Sequence, residues 1–320
     1  MRTNLALDFL LSMPRTPRLS VLGYHRVLPR QDPLLPGEPT AEEFEERMRW
    51  VKANFNVLPL MEGVRAMREN RLPPRALSIT FDDGYADNYL IALPILQRLE
   101  LSATVFIATG FLDGGCMFND VVIEAVRRAA EPDLDLDDLG FGHHPLGSDE
   151  QRARTIDRIL ASLRYYEPER RQGVALEIAR RAGARVPTNL MMTTEQVRSL
   201  HAAGMTVGAH TVTHPILAEV STERARDEMA AGRARLEEIT GAAVHLFAYP
   251  NGQPLRDYRP EHAALAREVG YEAAVSSAWG AARAGDDLYQ IPRFTPWDRP
   301  NWRFGLRLAT NRLATHYARA

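Results

Sequence analysis

Two residue types are nearly missing from this chain, and each absence closes off chemistry. Among 320 residues there is one cysteine, Cys116, which excludes an intramolecular disulfide, a thiolate metal cluster and a CxxC redox pair. Its Asp-Gly-Gly-Cys-Met setting reads as a loop rather than a nucleophile's seat. Lys52 is the only lysine, which leaves little room for Schiff-base chemistry or a phosphate-cradling P-loop. No stretch reaches the roughly 18 apolar residues of a membrane span. An excess of positive charge is lacking too: Lys+Arg 39 against Asp+Glu 41 gives a net charge of −2, so no nucleic-acid partner is expected. The N-terminal "MRTNLALDFLLSMPRTPR" is broken by Asp8 and is followed by no small-residue cleavage site. A short amphipathic helix is expected there rather than a signal peptide, with the cytoplasm as the expected compartment.

What is present is an alternation. "RLSVLGYHRVL", "ALSITFDDG", "SATVFIATG", "MTVGAHTV", "AVHLFAYPNG", "YEAAVSS" and "LYQIPRF" are short, β-branched or aromatic runs bounded by Gly, Pro or Asp, as strands are. Several are apolar throughout, as parallel strands covered on both faces should be. Helical patterns lie between them. Thr40 with Glu43, and Thr193 with Gln196, form capping boxes, while Gly204, Gly241 and Gly270 stand where left-handed caps end helices. Strand then helix, repeated about seven times, predicts an α/β fold: a distorted (β/α) barrel of about seven parallel strands in a single domain. From about 117 to 190 no strand signal is found, and two helical stretches, the second opened by Ser148 and Gln151, predict a helical insertion. The end of the chain, about 303–320, reads as a basic amphipathic helix that packs on the barrel or touches a membrane surface.

In such barrels functional side chains collect at the C-terminal ends of strands. Those ends carry His25, Asp82-Asp83-Gly84, Gly110-Phe111, His210 with His214, Tyr249-Pro250-Asn251-Gly252, Ser276-Ser277 and Arg293. Two histidines four apart can face one metal ion, but a catalytic zinc site needs a third protein ligand and an open position. A carboxylate from another strand end would complete it. The adjacent Asp82 and Asp83 repel one another unless a cation lies beside them; an ordinary Asx turn is the alternative for this pair, and a hydrogen-bonded loop is the alternative for the histidines.

"TFDDG", "HTVTH" and "FAYPNG", in this order and at strand ends, resemble the motifs of the polysaccharide deacetylase family (carbohydrate esterase family 4). The resemblance runs from about 19 to 298, leaving out the insertion and both termini. It implies a distorted (β/α) barrel and metal-dependent hydrolysis of an N-acetyl group on an amino sugar. By that resemblance Asp82 is the general base, and Asp83, His210 and His214 hold the metal. The backbone around Tyr249, with Asn251 in the same motif, supplies an oxyanion donor. Asp-His-His ligation suits Zn²⁺, with Ni²⁺, Co²⁺ or Fe²⁺ as other occupants.

The chain departs from the family pattern twice. "LYQIPRFTPW" has no histidine where the pattern places a general acid, and "LFAYPNG" lacks the arginine that pairs with the base. His25 in "GYHRV" is the expected substitute acid, with Asp82 serving as both base and acid as the competitor; Arg293 is the expected partner of Asp82. Asn119 and Asp120 are expected either to reach the cleft as substrate contacts or to cap a helix, and Phe111, Trp279 and Trp297 to stack on sugar or to pack. The expected substrate is an N-acetylated glycan or sugar-lipid, the latter with peripheral membrane contact through the C-terminal helix. The rival readings are a cyclic imide or ureide hydrolase on the same barrel and a glycan-binding module without turnover.

Overall fold

A computed structural model of the chain describes residues 17–314 and 316–320; the helix expected at the N-terminus lies outside the described residues. In chain order the main elements are β1 (Ser20–Tyr24), α1 (Ala41–Asn54), β2 (Asn56–Val57), α2 (Leu60–Arg68), β3 (Ala76–Phe81), α3 (Leu93–Arg98) and β4 (Thr104–Ile107). After the insertion described below come α7 (Thr194–Ala202), β7 (Thr206–Ala209), α8 (Thr222–Thr240), β8 (Leu246–Ala248), α9 (Pro260–Val269), β9 (Ala273–Val275) and α10 (Asn301–Leu313). The sheet runs β1-β3-β4-β7-β8-β9 with every pairing parallel, and β2 pairs with the start of β3. Thr40 and Thr193 close capping boxes on α1 and α7, and α8 and α9 end on left-handed Gly241 and Gly270.

The seventh expected strand, "LYQIPRF", is not a strand. Pro292 has no N–H to give to a ladder, so the segment makes single bridges: Ile291 to Val275 of β9 and Phe294 to Leu22 of β1. Hydrogen bonds from Ile291 N to Ala274 O (3.0 Å) and from Phe294 N to Val21 O (2.7 Å) nonetheless join β9 to β1 and complete the ring.

Strand residues alternate between two apolar clusters, as a two-residue period requires. Leu22, Ile79, Phe81, Val105, Ile107 and Phe247 pack into one with the helices. Val21, Ala76, Phe106, Leu246 and Val275 form the other. Counting along β3, the polar Ser78, Thr80 and Asp82 share the face of Ala76. Gly208 sits beside Phe106, where an added Cβ would come within 2.5 Å of the ring, so a glycine is required at that point of β7.

The insertion corrects the expectation of a purely helical segment. It contains α4 (Phe118–Arg128), then an antiparallel hairpin of β5 (Asp133–Leu136) and β6 (Gly142–Pro145), then α5 (Asp149–Leu163) and α6 (Pro168–Arg181). Pro168 begins α6 and divides what reads in sequence as one long helical stretch. His143 and His144 fall in the hairpin; His143 is exposed, and His144 is buried with Nε2 2.9 Å from Phe141 O. The insertion has an apolar cluster of its own, built on Val122, Leu136, Ile159, Leu163 and Ile178. The C-terminal helix ends at Leu313, earlier than expected, and buries Phe304, Leu308 and Ala309.

Candidate active site

Asp82 and Asp83 follow β3 directly. Asp82 N donates to Tyr24 O (2.9 Å) and Gly84 N to Asp82 O (2.9 Å), and the chain turns sharply through left-handed Asp83 (φ 73°) and Gly84 (φ 89°). Both carboxylates are buried. On the next-but-one strand His210 follows β7, with its N–H on Ile107 O (3.1 Å). The loop from Thr211 to His214 is held by Glu228 of α8, which accepts from Val212 N and Thr213 N, each at 2.8 Å. Thr211 (φ 68°) and His214 (φ 53°) are again left-handed. A β-branched residue in that region is uncommon, and such outliers concentrate at functional sites.

Asp83, His210 and His214 offer ligand atoms that all lie within 4.8 Å of one another. Nε2 of each histidine stands 3.5 Å from Asp83 Oδ1, and that buried oxygen has no hydrogen-bond partner. His210 Nδ1 lies 2.7 Å from Ala248 O, so Nδ1 carries the proton and Nε2 presents its lone pair. Donors bonded tetrahedrally to one ion at 2.0–2.2 Å stand about 3.4 Å apart. The three donors therefore fit a divalent metal ion. Without a metal ion, burial raises the Asp83 carboxyl and protonated imidazole beside it, His210 first, holds it below the usual range, a place a bound cation would take over. Burial lowers His214 to about 3, so its ring is neutral as a ligand requires.

Arg293 is brought against Asp82. Its Nη1 and Nη2 reach Oδ1 and Oδ2, each at 2.7 Å, while Nε donates to Ser276 O (3.1 Å). This bidentate buried pair fixes the carboxylate plane. Burial, the largest single influence, pushes Asp82 up, but the charge and hydrogen bonds of Arg293 and the nearby histidines together outweigh it and the carboxyl sits below its ordinary range. The guanidinium arrives from the segment that closes the ring.

These groups line a cleft of about 440 Å³ together with His25, Asn119, Asp120, Asn251 and Ser277. His25 is exposed on its rim. Asn119 and Asp120 cap nothing: the cap position of α4 is Met117, and both lie in the first turn. Asp120 accepts from Tyr85 Oη (3.1 Å), and burial pushes its carboxyl up to about 7. Phe111 is half-buried against Tyr85, Met117 and Met191.

Tyr249 is a correction. Its N–H is committed to Val275 O (3.2 Å) in the sheet, its ring stacks on Tyr258 at 4.0 Å, and its hydroxyl donates to Tyr289 O. It is core, and it does not line the cleft. Asn251, left-handed at φ 58°, does line it, and its N–H has no partner among the described residues.

Several contributors escape a reading by motif. Glu228 lies within a polar helix. Arg171, buried on α6, donates to His214 O (3.0 Å) and stacks on Phe118 at 4.1 Å. Arg26 pairs with buried Asp87 (2.8 Å) beside the cleft. Arg26 and Asp87 flank "GYH" and "FDDG", and that adjacency is the one signal that could have found them.

The model of the polysaccharide deacetylase family matches residues 69–167 and 178–274. Protein YxkH of Bacillus subtilis (strain 168) is 21% identical over 278 residues, 86% of this chain and 70% of that protein. A poly-beta-1,6-N-acetyl-D-glucosamine N-deacetylase of Staphylococcus epidermidis is 31% identical over 124 residues, 34% of this chain and 42% of that protein. The solved structure of IcaB from Ammonifex degensii shares the fold, with TM-score 0.59 and 19% identity over 92% of this chain and 96% of that one. With more than half its length matched, and with the aspartate pair and the two histidines converging on one cleft, the chain belongs to the polysaccharide deacetylase family of carbohydrate N-deacetylating hydrolases.

Proposed function

We propose that the protein hydrolyses the N-acetyl amide of an amino sugar within a glycan, using a divalent metal ion held by Asp83, His210 and His214, with zinc the best fit to this donor set. The observation that carries the reading is the Asp82 carboxylate locked by Arg293 immediately beside the three converging donors. A bound metal ion supplies Lewis-acid polarisation of the amide carbonyl and makes water easier to deprotonate. Asp82, kept ionised by Arg293 and the neighbouring histidines against its burial, accepts the proton of the attacking water. Arg293 keeps the carboxylate aimed by its two parallel hydrogen bonds. The N–H of Asn251 replaces that of Tyr249 as the candidate donor to the developing oxyanion. His25, on the rim, protonates the leaving amine. Asn119 and Asp120 face the sugar from the insertion.

The reading is tested by measuring metal content and acetate release together on N-acetylated sugar oligomers. Asp82→Asn is expected to keep its metal and lose about 10²–10⁴-fold in kcat, and His214→Ala to lose both metal and activity. Turnover surviving in Asp82→Asn would remove the base assignment. Metal without acetate release from any N-acetylated sugar would return the choice to a cyclic amide or a binding module.

A further inference from the structure

We infer that the protein binds a phosphate group at a second site, remote from the cleft, in a cavity lined by Arg18, Arg283 and Arg319. The inference is independent of the deacetylase reading. The cavity, of about 410 Å³, lies at the far end of β1: Arg18 precedes that strand, whereas His25 on the cleft rim follows it. From Arg18 to His25 the extended chain covers roughly 20 Å at about 3.3 Å per residue. Three stretches distant in sequence meet there. Leu19, next to Arg18, bridges to Ala282. The turn that follows Ala282 is closed by Arg283 N on Asp286 Oδ2 (2.9 Å) and Asp286 N on Arg283 O (3.1 Å). The tail after α10 adds His316, Tyr317 and Arg319. Tyr317 lies so close to Gly280 that a Cβ added there would come within 2.8 Å of it, and the Arg319 guanidinium sits 4.6 Å from the Tyr317 ring.

The charges of the lining do not balance. Asp286 is its one carboxylate, and it is taken by Arg319 (2.6 Å), with Arg283 3.9 Å away. Arg18 is 5% exposed, and its Nε has no hydrogen-bond partner. Its Nη1 donates to a neutral carbonyl, Ala314 O, and no carboxylate among the described residues lies within ion-pair distance of it. Arg312, 2% exposed, is in the same condition behind it: Nη1 donates to Arg18 O and Ser20 Oγ, each at 3.2 Å, and Nε is unpartnered. A guanidinium taken out of water without a counter-charge is costly, and two adjacent ones repel besides. The three guanidiniums of the lining exceed its carboxylate by two charges, close to the charge of a phosphate monoester near neutral pH. A carboxylate ligand would bring one charge and two oxygens, whereas a phosphate monoester brings three free oxygens, which guanidinium forks bind in pairs. The cavity is larger than the phosphate group itself, so it also admits part of the skeleton that carries it.

The test titrates glycerol 3-phosphate into the intact protein in a calorimeter at constant ionic strength, with glycerol and sodium chloride as blanks. Saturable binding is expected, weakened about tenfold or more when Arg283→Gln and Arg319→Gln are combined. Both side chains are exposed, so the double variant should fold. Arg18→Met should weaken binding as well, with Arg18→Lys retaining part. Arg256→Gln removes an exposed arginine on the cleft side and should bind as the wild type does. The ester should raise the unfolding temperature of the wild type and not of the double variant, while acetate release stays the same in both. Flotation with phosphatidylcholine vesicles carrying phosphatidic acid separates the sources of the phosphate. Flotation lost in the double variant would support the site with a lipid headgroup as its ligand; ester binding without flotation would support it with a soluble one. No heat beyond the blanks, or equal affinity in wild type and double variant, would overturn the site. Binding lost in Arg256→Gln instead would also overturn it, by placing the anion at the cleft.

Discussion

On the barrel wall of the cleft, Asp82 and His210 each give their N–H to a neighbouring strand, and the loop after His210 is clamped by Glu228. The facing wall, from Phe118 to Arg181, has its own apolar core and reaches the His210–His214 loop through Arg171 on His214 O. Asp82 and the candidate metal donors Asp83 and His210 thus come from the strand ends, where parallel ladders fix the backbone. The insertion supplies the opposite surface, seated by Arg171 together with the pairs Tyr85–Asp120, Arg127–Asp32 and Arg224–Glu169. Among the described residues no carboxylate lies within ion-pair distance of Arg171, and burial lowers it to about 10. The two walls can therefore be perturbed separately.

The largest effect should come from the barrel wall. Arg293→Met leaves Asp82 buried without its cation, so its pKa rises instead of falling. The acid limb of the rate profile should then move to higher pH, with kcat down by about 10²-fold or more. Titrating acetate release against pH in both proteins checks the sign, and an unmoved limb would detach Asp82 from it. A smaller effect is expected where the walls meet. Arg171→Met should weaken metal affinity by about 10–100-fold, the range for groups that orient ligands from behind, with Arg171→Lys recovering part. Competition with a chelator measures it.

Within the insertion, Ile159→Val should cost about 1 kcal/mol of stability and leave metal affinity unchanged, as read by denaturant unfolding followed by chelator titration. A coupled loss of metal would show that the two cores are not independent. The least functional consequence attaches to Cys116. Burial pushes its thiol up to about 12, so at pH 8 a thiol reagent should label the folded protein about 10³-fold more slowly than the unfolded chain. Cys116 O accepts from Gln172 of α6. Faster labelling in Arg171→Met would therefore report an unseated insertion.

This division also governs how much could be read from the sequence. Asp82, Asp83, His210 and His214 were visible because each ends a short apolar run whose type and boundary are set locally, and Thr40 and Thr193 marked helix starts for the same reason. The hairpin at Asp133–Leu136 and Gly142–Pro145 was not, since four-residue strands in an acidic, glycine-containing stretch carry too little apolar alternation. Tyr289, Ile291 and Phe294 make the ring-closing segment look like a strand to composition, while Pro292 denies it a ladder. Tyr249 was misplaced because a motif shows which turn lies near the cleft, not which of its N–H groups a neighbouring strand has already taken. Arg171 is one basic residue on a helix that also carries Arg170, Arg180 and Arg181, and only its burial sets it apart.

The join between β9 and β1 works as a clasp with two duties. The bridges at Ile291 and Phe294 fasten the ring, and the residue between them and one step from the proline, Arg293, latches the Asp82 carboxylate. Whatever parts that clasp frees the carboxylate in the same motion, while Asp83, His210 and His214 stay fixed to β3 and β7. Gentle heating of protein loaded with a divalent metal should therefore produce a silent intermediate stage, in which metal analysis still finds the ion at the proposed donors while acetate release has stopped.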